Sequence, residues 1–146
     1  MDAFTKAVAA GAAGAVTTTL LHELTRRLTL DAPRVDLLGM QALAHLLQAV
    51  GLRAPTSVAL YNLTLAGDLA SNTAYFGLVG AGPRGRAVAL GGAMGVVAGA
   101  GAVYLPPYLG LSKRPTKRTG ATRAITVALY TAGGIAAGLA YKALPG

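Results

Sequence analysis

The placement of charge along this chain constrains its fold more than any other feature. Only 12% of the 146 residues are charged and 53% are hydrophobic, whereas soluble domains carry charge on about a quarter of their positions. The charges gather at a few junctions and leave four apolar stretches of roughly twenty residues, the length that crosses about 30 Å of hydrocarbon. The stretches are 4–24, 57–80, 87–105 and 124–144. We therefore predict an all-α polytopic membrane protein in which four transmembrane helices form a single domain.

The first stretch also has features of a secretory signal peptide, because Lys6 precedes the apolar run AVAAGAAGAV. A signal peptide would end at a small-residue cleavage site. Here the apolar character continues through TTTLL to His22 and Glu23 without a clear break of that kind. We expect a first span that is retained.

The connection between the first two spans has a helical pattern of its own over residues 35–50. Asp31 and Pro33 favour a helix start nearby, and Gly51 favours a stop. The segment is amphipathic but too short and too polar to cross a bilayer, so we predict a short interfacial helix. One face comprises Leu38, Ala42, Leu46 and Ala49, and another comprises Gln41, His45 and Gln48.

Lysine and arginine are divided unequally between the connections. The first and third connections carry nine basic residues, and the opposite side of the predicted topology carries four. The positive-inside rule then places connections one and three in the cytoplasm and both termini outside. We expect this orientation in a bacterial inner membrane. The four residues on the opposite side are Lys6, Arg84, Arg86 and Lys142.

Small residues recur at a spacing of four in the first, third and fourth spans. Such faces let helices approach along their backbones in lipid. They also offer surfaces for self-association, so we expect a homodimer or membership of a larger membrane complex. The alternative is that the patterns arise by chance in a chain with 20 glycines. The faces are Ala10 with Gly14, Gly91 with Gly95 and Gly99, and Gly134 with Gly138.

The second span is distinct because it carries an aspartate, Asp68, near its middle. Asp68 follows Thr56 by twelve residues, or roughly 18 Å along a helix. A bare carboxylate at that depth costs about 2.5–3.5 kcal/mol on insertion scales, so it should be protonated, paired or hydrated. Residues three, four and seven positions apart share a helix face. The polar stripe built on Asp68 in this way contains Tyr61, Thr64, Ser71, Asn72 and Tyr75.

Two interpretations of this stripe remain open. In the functional one, Asp68 is the centre of a site that binds or transports a proton, a cation or a small polar ligand, because acids inside membranes are functional by default. In the structural one, the stripe is a hydrogen-bonded seam between helices, with Asn72 and Thr64 as partners of Asp68.

A third set of polar residues would serve a membrane-embedded enzyme that acts on a lipid or isoprenoid near the interface. The HExxH motif of zinc proteases fails, because Arg26 stands where the second histidine belongs. Phosphate-binding loops and GxSxG elbows are missing, and the chain has no cysteine, so no motif demands a cofactor or a metal. The catalytic candidates are His22, Glu23, Asp36 and His45; Asp31 joins them only as a metal ligand without diagnostic spacing.

The net charge of +8 is concentrated in the connections, most densely in KRPTKR at 113–118. Attraction to anionic lipid head groups at the cytoplasmic surface explains these clusters more simply than nucleic acid does. We expect the third connection, SKRPTKRTGATR, to be a solvated loop. The candidate head-group residues are Arg26, Arg27, Arg34, Arg53, Lys113, Arg114, Lys117 and Arg118.

Two segments, DAPRVDLLGMQAL at 31–43 and LYNLTLAGDLASNTAYFGLVG at 60–80, carry a resemblance to small four-span membrane proteins of bacteria. That resemblance implies a four-span fold and no particular activity. In size and span number the chain is also similar to small multidrug-resistance transporters, which implies a dimer with an essential membrane acid. That family places a glutamate in its first span, whereas this chain has Asp68 in the second.

Overall fold

The computed structural model describes residues 1–145, and within them the chain forms α-helices and short 3₁₀ turns without a strand. The prediction of an all-helical fold is confirmed. The turns are Leu78–Ala81, Arg84–Arg86 and Pro106–Leu109. The helices are α1 (Ala3–Leu28), α2 (Val35–Ala49), α3 (Ser57–Gly77), α4 (Ala87–Tyr104), α5 (Arg114–Lys117) and α6 (Gly120–Ala143).

Within residues 1–145, three helical segments are long and apolar enough to cross a membrane: α1, α6 and the segment Arg84–Tyr104 that contains α4. This agrees with an integral membrane protein. α3 has 21 residues but is not among these three, because Asp68 and its polar neighbours interrupt its apolar stretch. A fourth span and an interfacial α2 therefore stay predictions.

The helix starts follow from side chains that accept hydrogen bonds from free backbone amides. Asp2 accepts from the Thr5 amide at 2.9 Å, and Thr119 accepts from the Thr122 amide at 3.0 Å. α2 is followed by Gly51, which takes a positive φ of 78°, as its predicted role as a stop requires.

The four long helices lie side by side in a curved row in the order α3, α1, α6, α4. Neighbours run antiparallel, because positions early in one helix face positions late in the next. Gly11 of α1 lies against Gly77 of α3, and Gly91 of α4 lies against Gly134 of α6. α3 and α4, at the two ends of the row, make little contact. A hydrogen bond of 2.9 Å from the Tyr75 hydroxyl to the Met94 carbonyl joins them.

The closest packing is between α4 and α6, where glycines remove the side chains from both surfaces. A Cβ atom on Gly91 would overlap the carbonyl of Gly134, and one on Gly99 would lie 2.6 Å from the Val127 Cα. The predicted small-residue faces of these helices therefore pack within one chain. A homodimer would need a different surface.

The outer surface of α1 carries a row of exposed apolar side chains at multiples of four residues. This row is suited to contact lipid, because a helix presents residues four apart on one face. It consists of Phe4, Val8, Val16, Leu20, Leu24 and Leu28.

The first and third connections meet at one end of the row, which we call the basic end. The Arg34 amide donates to the Pro115 carbonyl at 2.8 Å, and the Thr119 hydroxyl donates to Asp31 at 2.9 Å. The third connection is more ordered than predicted, since it forms α5 and buries Thr116, whose hydroxyl donates to the α4 carbonyl of Ala102 at 2.6 Å.

Candidate functional site

Asp68 lies in a wall shared by two cavities. One, which we call the inner cavity, lies between α1, α2, α3 and α6. The other, which we call the lateral cleft, lies between α3 and α4 and is covered at the basic end by α2. Asp68 is partly buried, and its Oδ1 accepts a hydrogen bond of 2.9 Å from the buried amide of Asn72. Tyr130 of α6 also lines both cavities.

The lateral cleft is amphipathic and large, with about 540 Å³ open to the centres of water molecules. Among the described residues that line it, Asp68 is the one charged side chain. Its polar wall is on α3 and its apolar wall is on α4, on the turn that follows α4 and on α2. The polar wall includes Asp68, Ser71, Asn72 and Tyr75, and the apolar wall includes Leu38, Ala42, Val97, Leu105 and Leu109.

The inner cavity is smaller and more enclosed, with about 70 Å³ open to the centres of water molecules. His22 is buried in its wall, with 6% of its surface exposed. Glu23, Arg26 and Asp36 form the side of the cavity at the basic end. The other polar side chains in the lining are Thr18, Thr19, Tyr61, Thr64, Asp68 and Tyr130.

The orientation of the His22 ring is fixed by its own helix. Nδ1 lies 2.9 Å from the Thr18 carbonyl, and because a carbonyl only accepts, Nδ1 carries a hydrogen. The Tyr130 ring packs edge-on at 5.4 Å between centroids. A neutral His22 therefore presents a lone pair on Nε2. Within residues 1–145, this atom and the hydroxyls of Thr19 and Thr64 are buried without a hydrogen-bond partner.

An ion-pair network lines the inner cavity at the basic end. Arg26 donates to Glu23, and its Nη1 lies 2.9 Å from Asp36. Arg34 also pairs with Asp36, at 2.7 Å. Partial burial works to raise the pKa of Asp36, but the hydrogen bonds from Arg34 and the charges of Arg34 and Arg26 outweigh it, and the pKa lies below its ordinary value. The network joins the end of α1 to the start of α2.

The predicted polar stripe of α3 divides between the two cavities. The Asn72 bond to Asp68 forms, but Thr64 makes no bond to it within the described chain and faces the inner cavity with Tyr61. Ser71 is exposed at the cleft, where its hydroxyl donates to the backbone carbonyl of Asp68 at 3.1 Å. Tyr75, also in the cleft wall, bonds to α4 as described above.

Three of the four catalytic candidates come together. His22, Glu23 and Asp36 line the inner cavity, whereas His45 is exposed on α2 and lies outside its lining. Among residues 1–145, no group of three or more His, Asp or Glu side chains is arranged to bind a metal ion.

The basic residues assigned to lipid head groups occupy the basic end, and several are engaged by protein groups. Arg27 lies 3.2 Å from Glu23, and Arg118 donates to the Leu30 carbonyl. The Lys117 ammonium lies 4.6 Å from the centre of the Tyr104 ring. Arg53, Lys113 and Arg114 are exposed.

Three polar residues that line the inner cavity, Thr18, Thr19 and Tyr130, escape the sequence analysis. Thr19 lies in the run TTT of the first span, and that run of hydroxyls in an apolar segment is a signal that could have indicated it. Tyr130 gives no such signal, because its helix carries Thr, Gly and Ala on all sides.

No family model, no curated protein and no solved structure matches this chain, so its function is inferred from its own residues.

Proposed function

We propose that this protein is a membrane-embedded binding or transport protein in which Asp68 binds a proton, a cation or a small polar ligand. The observation that carries the proposal is the position of Asp68 between the inner cavity and the lateral cleft. A carboxyl that lay only in a contact between two helices would serve to hold those helices together. A carboxyl that borders two open volumes can contact a ligand in either.

Charge and hydrogen bonding around Asp68 favour a positive or hydrogen-donating ligand. Asn72 donates to one carboxyl oxygen, and the cleft adds no second charge among the described residues that line it. An uncompensated carboxylate in an apolar setting is costly, so the site gains from any proton or cation that neutralises it.

The proposal includes a membrane arrangement. α3 is about 31 Å long at 1.5 Å per residue and packs along α1, which supports its assignment as a fourth span. α2, each of whose residues keeps some exposure, lies at the interface. The basic end faces the cytoplasm of a bacterial inner membrane and contacts anionic lipid head groups there. Exposed Arg53, Lys113 and Arg114 suit this contact.

Infrared difference spectroscopy of protein in lipid bilayers tests the role of Asp68. The Asp68→Asn variant assigns the carboxyl band, and Glu23→Gln is the matched control at the other edge of the inner cavity. We expect the Asp68 band to titrate between pH 5 and 9 and to respond to small monovalent or organic cations. A band that stays silent across this range and to every cation would overturn the proposal and leave an enzyme centred on His22 or a structural subunit of a membrane complex.

A second candidate, an enzyme acting on a lipid or isoprenoid, is favoured by the meeting of His22, Glu23 and Asp36 at one cavity. Under this alternative His22→Gln abolishes turnover of an added lipid substrate, while Asp68→Asn changes it less. Binding assays on the same two variants separate the candidates, because the binding protein depends chiefly on Asp68.

A further inference from the structure

The inner cavity contains hydrogen-bonding groups that the described protein leaves unused. Nε2 of His22 and the hydroxyls of Thr19 and Thr64 come from α1 and α3, and all three atoms are buried. Most buried polar groups in proteins have a partner, either from protein or from ordered water. Three such groups around one cavity indicate that a non-protein molecule forms the missing hydrogen bonds.

The donor and acceptor properties of the three groups indicate which molecule forms these hydrogen bonds. His22 Nε2 is an acceptor when the ring is neutral, and each threonine hydroxyl both donates and accepts. Water satisfies both kinds of group at once. A buried water needs roughly 10–15 Å³ of the space open to its centre, so a cavity of about 70 Å³ has room for several.

The cavity also has two ends of different character. Asp68 borders it toward the lateral cleft, and the Glu23–Arg26–Asp36 network borders it toward the basic end. The side chains of this network are 39%, 25% and 14% exposed, so its outer side meets solvent. The titratable and charged groups that face His22 are Glu23 and Arg26 from α1, Asp36 from α2, Tyr61 and Asp68 from α3, and Tyr130 from α6.

We propose that hydrogen-bonded water fills the inner cavity and connects Asp68 to the aqueous phase at the basic end, with His22 as the intermediate proton acceptor. The proposal rests on the proposed function of Asp68. A hydronium from the aqueous phase at the basic end gives its proton to Nε2 of His22 and becomes water, and the ring becomes a cation. The ring then releases that proton from Nε2 to a water beside Asp68. The carboxylate then binds it, so one proton moves and the ring returns to its neutral form. Nδ1 keeps its hydrogen throughout, because it is bonded to the Thr18 carbonyl.

Solid-state NMR tests the hydration directly. The chain has two histidines, so His45→Gln leaves His22 as the single ¹⁵N-histidine signal in bilayers. We expect magnetisation from water to reach His22 Nε2 within milliseconds. The double change Thr19→Val, Thr64→Val should reduce this transfer severalfold. Thr131→Val is the matched control, since that hydroxyl bonds within α6, to the Val127 carbonyl at 2.7 Å. A His22 ring that receives no water magnetisation overturns the proposal.

Deuterium exchange at Asp68 tests the connection. In the wild-type protein the infrared band of the Asp68 acid should shift promptly when D₂O replaces water. The same double change should slow the shift at least tenfold, and Thr131→Val should leave it unchanged. An Asp68 that titrates but exchanges at the wild-type rate in the double variant overturns the water route and leaves the proposed function intact. An Asp68 that never titrates overturns the proposed function, while the NMR result still decides whether the cavity is wet.

Discussion

The α4–α6 pair and the α1–α3 pair are both antiparallel, but they differ in how far the glycine packing extends along the helices. Between α4 and α6, glycines bring the two backbones together, as at Gly91 and Gly134, and leave no space for a side chain. Between α1 and α3, glycines bring the backbones together in the first half of α1, where Gly11 lies against Thr73 and Gly77. Toward the basic end, polar side chains take the place of glycine and the inner cavity lies beside them.

The difference shows how one helical bundle combines close backbone packing with a polar cavity. In lipid, helices associate through close packing and hydrogen bonds, because neither apolar surface gains by leaving water. The α4–α6 contact, which we call the glycine seam, uses close packing, so its specificity comes from the complementary shapes of the two helix surfaces. The part of α1 and α3 beside the inner cavity uses hydrogen bonds, and its polar groups can also bind a ligand or water. Four variants or conditions test this division, from the largest expected effect to the smallest.

Gly134→Leu should separate α4 from α6. A side chain at this position would overlap the Gly91 carbonyl, and that backbone cannot move aside without leaving the seam. We expect a loss of at least about 3 kcal/mol in the free energy of unfolding, the upper end of overpacking penalties, measured by denaturation in mixed micelles. Gly92→Ala is the control, since its Cβ would meet Ile135 at an ordinary 3.5 Å. Equal stability of the two variants would contradict a close-packed seam.

Asp36→Asn should loosen α2 from the bundle without opening the seam. The change removes the carboxylate that joins Arg26 and Arg34, and hydrogen bonds to charged groups contribute about 1.5–3 kcal/mol each. We expect a loss of about 1–2 kcal/mol, because Arg26 keeps Glu23 as a partner. Faster amide exchange in α2 is the second measurement. Asp31→Asn, whose side chain is 44% exposed, is the control and should cost less than about 1 kcal/mol.

At acid pH the wild-type protein should lose its greater stability to unfolding relative to the Asp36→Asn variant. The folded state lowers the pKa of Asp36, so the stabilisation is complete above the unfolded pKa, about 4, and is lost as the pH falls through the lower folded pKa. Stability curves of the two proteins should therefore converge below about pH 4. A gap that persists unchanged at pH 3 would mean that Asp36 does not act through its charge.

Tyr75→Phe should have the smallest effect and should act across the lateral cleft. It removes the hydrogen bond to the Met94 carbonyl that joins α3 to α4, which is worth about 1 kcal/mol. Spin labels at exposed Ala74 and Ala93 should show a broader distance distribution. Tyr108→Phe is the control, because that side chain is 86% exposed. Unchanged distances in Tyr75→Phe would mean that other contacts set the width of the cleft.

The sequence predicts the helices well, because long apolar runs and capping residues are local. The first helix nevertheless extends to Leu28, beyond the predicted 24, since polar residues at a span end continue a helix. The last helix begins at Gly120 rather than 124, since Thr119 caps it. A count of apolar residues measures the hydrophobic length of a helix and not its hydrogen-bonded length.

The site is predicted only where it is local. Asn72 follows Asp68 by one helical turn, and their bond forms as predicted. Thr64 is one turn before Asp68, yet it faces the inner cavity because α1 packs on that side. The approach of His22 and Tyr130 depends on the order of helices in the row. Small-residue faces on three spans are compatible with several orders, so the sequence could not select this one.

The central position of α1 and α6 in the row has a consequence for biogenesis. α1 and α6 are neighbours although α2, α3, α4 and α5 lie between them in the sequence, and chains emerge from the ribosome N-terminus first. In the folded protein Gly14 and Thr18 lie against Gly133 and Ala137 of α6, so these contacts form only after α6 has been synthesised. Until translation reaches α6, α4 lacks its main partner. The contacts that join the α1–α3 pair to α4 therefore stay incomplete until α6 has been made.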